Sequence, residues 1–123
     1  MDTDEKLALL GEALYHDTLL SADGTVACAT CHALDAGGVD RLPVSTGIKG
    51  QQGPINAPTV YNSSYNFVQF WDGRAATLED QAAGPVANPL EMGDDWPAVV
   101  KKVAASERYR NAFDELFGGE VST

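Results

Sequence analysis

The sequence has only two cysteines, Cys28 and Cys31, and only two histidines, His16 and His32, in 123 residues. No third thiol competes with the pair, and a structural zinc would want a second pair of ligands. Once one histidine is committed, a single spare imidazole remains. Basic side chains are also scarce: 8 Lys and Arg stand against 18 Asp and Glu, for a net charge of −10. That balance makes nucleic acid and anionic membranes poor partners and a basic protein a good one, although the same charge also serves solubility. There is no apolar run long enough to cross a bilayer, no internal repeat and no low-complexity segment. A chain of this length holds one domain with one core, residues 1–123.

What is there is Cys28-Ala29-Thr30-Cys31-His32. Two cysteines spaced by two residues and followed at once by histidine form the attachment signature of a c-type haem. The thiols add to the two vinyl groups as thioethers, and His32 presents a ring nitrogen to one face of the iron. A lone disulfide, a redox dithiol or half a zinc site are the other uses of such a pair. A thioredoxin-type motif would want a strand before it and no histidine there. Covalent haem is normally installed outside the bacterial cytoplasm. The opening Met1-Asp2-Thr3-Asp4-Glu5 lacks the basic-then-apolar pattern of a leader, so a processed or trimmed periplasmic chain is expected.

Asp4 to Tyr15 reads as an amphipathic helix with Leu7, Leu10 and Leu14 on one face, closed by Asp17. Ser21-Ala22-Asp23-Gly24 is turn chemistry leading into a short helical turn that carries the haem motif. A long loop from Asp35 to Pro58, rich in glycine and proline, shows no period and is long enough to wrap a haem edge. Tyr61, Tyr65, Phe67, Phe70 and Trp71 follow, and aromatics so dense are expected in a core or haem pocket. Thr77 begins a helix to about Ala83 that Gly84-Pro85 should stop. Gly93-Asp94-Asp95 caps a helix with Pro97 in its first turn and Val99, Val100 and Val103 on its apolar side. Ser106 starts the last helix, in which Tyr109, Phe113, Leu116 and Phe117 align before Gly118-Gly119. The fold class read from this is mainly α, a class I cytochrome c-like domain with long loops around one covalent haem.

Several phrases together resemble the N-terminal domain of the bacterial di-haem cytochrome c peroxidases, the family that also holds the MauG-like enzymes. They are Leu10-Gly11-Glu12-Ala13-Leu14-Tyr15-His16-Asp17, Leu20-Ser21-Ala22-Asp23-Gly24-Thr25 and Gly53-Pro54-Ile55-Asn56-Ala57-Pro58-Thr59-Val60. Gln69-Phe70-Trp71-Asp72-Gly73-Arg74-Ala75 and Asn88-Pro89-Leu90-Glu91-Met92-Gly93 complete the set. The resemblance runs nearly end to end. It implies the peroxide-reactive haem domain, with a second, C-terminal haem domain passing in electrons from a small cytochrome c or cupredoxin. No second Cys-x-x-Cys-His occurs here, so the chain is expected to be the peroxidatic half alone.

The resemblance further implies Cys28 and Cys31 as thioether anchors and His32 as proximal iron ligand. It makes Glu91 the acid–base group, Gln81 its partner beside hydrogen peroxide, Trp71 the residue between two haems, and Asn56 a ligand at an inter-domain calcium. Asn56 alone cannot hold calcium, which takes six to eight oxygens, so a weak or empty site is expected. Family members supply a gating histidine from the loop after the haem motif. Here that place is Ile48, which cannot ligate iron. The expected function is therefore a haem peroxidase reducing hydrogen peroxide to water with electrons from a redox protein. The alternative is a mono-haem electron carrier or sensor, six-coordinate through His16 or Met92. Met1 is a further spare ligand.

Overall fold

The structure is a computed structural model and describes residues 4–123. Met1 therefore lies outside the described residues. The architecture is mainly helical, and the described residues contain no named strand, only isolated bridges between Thr46 and Gln52 and between Gln69 and Ala75.

Five α-helices order the described residues: α1 (Glu5–Tyr15), α2 (Cys28–Cys31), α3 (Leu78–Ala87), α4 (Trp96–Ala105) and α5 (Glu107–Phe117). Each long helix begins where a side chain satisfies an orphan amide, except α5. Asp4 accepts from Leu7, Thr77 from Asp80 and Asp95 from Ala98, while Ser106 flanks α5 without a side-chain bond. Gly118, at φ +67°, ends α5 by donating its N–H to the carbonyl of Asp114 at 2.8 Å.

The core is aliphatic: Leu10, Leu20, Val26, Ile48, Val86, Met92, Val99 and Val103 are buried together with Tyr109. The α4 face is as expected, Val99 and Val103 buried and Val100 half-buried. On α1 only Leu10 is buried, and Leu7 is exposed, because α5 covers a narrower stripe than the leucine spacing offers. Asp17 does not close α1. His16 occupies that position, while Asp17 caps the following turn (Thr18–Leu20) and accepts the Tyr109 hydroxyl at 2.6 Å.

Two further expectations are corrected. Helix α3 runs through Gly84-Pro85 to Ala87. Its last carbonyls are taken by the next loop, Met92 N–H on Pro85 and Asp94 N–H on Val86, and Val86 is buried. Those bonds and that burial outweigh the one helical bond that proline removes. The second correction concerns the aromatic cluster, which is not core: Tyr65 is 80%, Phe67 93% and Trp71 62% exposed. Only Phe70 is half-buried, against Gly84 and under the Arg74 guanidinium. The rest sit exposed on chain without long helix or strand.

Candidate haem site

Helix α2 is a single turn, and its geometry comes from the residues around it. Buried Ser21 donates its hydroxyl to the Thr18 carbonyl and accepts the Val26 N–H, which directs the chain into the motif. Thr30 reaches back to accept the Ala27 N–H at 2.9 Å. His32 closes the turn, its N–H on the Cys28 carbonyl at 3.0 Å.

Both cysteines are free thiols and half-buried. Burial pushes both thiols above their ordinary range, and the Glu91 carboxylate adds to the rise at each. A thiol kept protonated is a thiol protected from adventitious oxidation. At Cys31 the Ser45 side chain pulls the other way. The Ser45 hydroxyl is buried without an oxygen or nitrogen partner among the described residues, a polar atom left over beside the anchor.

The His32 ring decides what the motif can do. Its Nδ1 lies 3.1 Å from the Gly38 carbonyl oxygen, which can only accept. Nδ1 therefore carries the proton, and Nε2 is left with its lone pair, the tautomer an iron ligand needs. Gly38 is fixed in turn at φ +74°, where a Cβ would meet Thr59 and Val60 atoms at 3.0 Å. The phenol hydroxyls of Tyr15 and Tyr61 donate to the carbonyls of His32 and Leu34. Burial, with the thiols adding, pushes the Tyr15 hydroxyl up to about 12, so it stays a donor. Two free thiols and a pre-set imidazole suit covalent haem.

A second group of residues gathers at the turn after α3. The Glu91 N–H donates to the Asn88 carbonyl at 3.0 Å, and its own carbonyl accepts the Ile48 N–H at 2.8 Å. Gly47 is pressed so close that a Cβ there would lie 2.0 Å from the Leu90 carbonyl oxygen and 2.5 Å from that of Glu91. Ile48 is buried, and its Cδ1 lies against Gly93. Gln81 is half-buried on α3. The hydrogen bond to the Glu91 carboxylate comes instead from Asn88, a role that no sequence motif names. Its position before Pro89 was the available signal.

The remaining candidates stand apart. Trp71 is exposed and donates its Nε1–H to the Asn56 backbone carbonyl at 3.1 Å. Asn56 is exposed, and no group of three acidic, histidine or cysteine side chains suited to a metal ion occurs among the described residues. His16 is exposed with its ring edge-on to Tyr15, whereas Met92 is 2% exposed within the core.

The profile of the family described as di-haem cytochrome c peroxidase matches residues 5–123. The chain belongs to that family. It is 52% identical over 118 residues to the cytochrome c peroxidase Ccp of Escherichia coli, covering 95% of this chain and 25% of that protein. It is 50% identical over 117 residues to the cytochrome c551 peroxidase of Nitrosomonas europaea, covering 95% of this chain and 35% of that one. The crystal structure of a MauG-like protein associated with microbial copper homeostasis superposes with a TM-score of 0.89 at 31% identity, over 98% of this chain and 37% of that one. This member of the peroxidase family thus spans a quarter to about a third of the curated relatives' length. Family membership supports haem c as its cofactor.

Proposed function

We propose that this chain is the peroxide-reactive haem domain of a di-haem cytochrome c peroxidase, reducing hydrogen peroxide to water. The observation that supports it most is the Nδ1 contact of His32 with Gly38, because it readies Nε2 for an iron while Cys28 and Cys31 stand free beside it. When bound, haem c would supply the metal centre that takes up peroxide and the electrons that cleave its O–O bond. The chemistry balances as one peroxide, two electrons and two protons giving two waters.

The protein's share is proton handling and shielding. Glu91 would take a proton from the near oxygen of peroxide and return it to the far one, the work of a positioned general base and acid. Gln81 would donate a hydrogen bond from its carboxamide without changing charge. Ile48 would shield the site without offering a ligand, and its N–H bond to Glu91 ties that loop to the turn carrying the carboxylate.

Tyr65, Phe67 and Trp71 are exposed, and a second haem domain is the proposed cover. Electrons would come through that domain from a small cytochrome c or cupredoxin, with Trp71 between the haems. A periplasmic location follows from covalent haem. An inter-domain calcium would use Asn56 together with ligands from the covering domain.

Denaturing mass spectrometry tests the cofactor. The chain mass plus one haem, retained through acid–butanone extraction, is expected. A chain at apoprotein mass would refute it.

A further inference from the structure

We propose that Asn88 is a positioning residue for Glu91, orienting its carboxylate through a hydrogen bond from the side-chain amide. This rests on the reading of Glu91 as the acid–base group, and goes beyond it by naming what aims that group. The Asn88 Nδ2 donates to Glu91 Oε1 at 2.8 Å. Its Oδ1 accepts the Leu90 N–H at 3.0 Å, so the amide cannot flip without losing both bonds.

The residue is itself immobilised by its backbone. Asn88 follows the last residue of α3, and its N–H bonds the Gly84 carbonyl at 2.9 Å. Its carbonyl accepts from both Glu91 and Gly93, at 3.0 and 2.9 Å. The turn from 88 to 93 is thereby one rigid unit with the helix that carries Gln81.

The consequence for Glu91 is specific. A glutamate left to itself samples several rotamers, and ordering it costs conformational entropy. With Oε1 held, that cost is met on folding and Oε2 is left free to take and return a proton. Asparagine suits the position twice over, as acceptor for Leu90 and donor to Glu91. Aspartate would keep the first bond, lose the second, and set a like charge against the carboxylate.

Asn88→Asp is therefore the informative change, made in the haem-loaded chain. The infrared carboxylate band of Glu91, identified by its disappearance in Glu91→Gln, should shift. The reaction of the ferric protein with hydrogen peroxide should slow by about tenfold to a hundredfold, the scale of misplacing a reacting group by an ångström. Repeated on the Glu91→Gln background, the same change should alter the rate less than about twofold, and any general weakening of the fold cancels in that comparison. An unshifted band, or equal losses in both backgrounds, overturns the proposal. A wild-type rate in Glu91→Gln would instead overturn the acid–base reading of Glu91, while the band still decides whether Asn88 holds the carboxylate.

Discussion

The Nδ1 nitrogen of His32 lies 3.1 Å from the Gly38 carbonyl oxygen, and that carbonyl is held by a residue only glycine suits. The covalent motif fixes where an imidazole stands. The glycine fixes how it is turned.

Gly38→Ala should therefore disturb the iron environment as well as stability. Its φ of +74° and the 3.0 Å contacts with Thr59 and Val60 give strain of about 1–3 kcal/mol. Gly37→Ala is the control, with φ +88° but nothing within 4 Å of the added carbon. Both should lower the melting temperature. Only Gly38→Ala should shift the iron–histidine stretch in the resonance Raman spectrum.

Gly47→Ala tests the seat of Glu91. The added carbon meets backbone oxygen at 2.0 Å, and no side-chain rotation relieves it. We expect the turn from 88 to 93 to be displaced and the peroxide reaction slowed by about a hundredfold, as reacting groups lose alignment. Gly50→Ala, strained at φ +71° but open around the new carbon, should melt lower while reacting normally. Stopped-flow rates on both variants decide it.

Ile48 combines packing with the expected absence of a gate. Truncation to alanine in this buried position should cost about 2–4 kcal/mol, measurable by denaturant unfolding. Ile48→His should supply the sixth ligand that isoleucine cannot. Its ferric spectrum should turn low-spin and its reaction with peroxide should be suppressed.

Tyr109 gives a prediction in pH. Burial first, then its bond to Asp17, pushes its hydroxyl from 10.0 up to about 12. A group whose folded pKa is raised contributes stability that is complete below its unfolded value and lost as pH climbs through the folded one. Stability should therefore fall between pH 10 and 12. Tyr109→Phe should flatten that fall and cost about 1.5–3 kcal/mol at neutral pH, the worth of a hydrogen bond to a charged group. Melting temperatures across that range check both.

Legibility from the sequence followed the reach of each interaction. Family membership was readable because the haem motif and the phrases around it are written in adjacent residues. Helix α4 was readable because Asp95 and Pro97 mark its start locally. The end of α3 was misread because the groups that take its last carbonyls come from Met92 and Asp94, beyond the break that Gly84-Pro85 suggests. The aromatics from Tyr61 to Trp71 were misread as core because density along the chain does not say which side chains the fold buries. The role of Asn88 was hidden because Asn-Pro signals a turn, while the direction of its amide depends on where Glu91 lies after folding.

The most direct test of the central claim mixes the ferric, haem-loaded chain with hydrogen peroxide in a stopped-flow spectrophotometer, with no reductant added. The account predicts a high-spin starting spectrum and an immediate second-order reaction, slowed by roughly 10²–10⁴ in Glu91→Gln. A low-spin starting spectrum that Met92→Ala or His16→Ala turns high-spin, with no reaction until reductant is supplied, would contradict it.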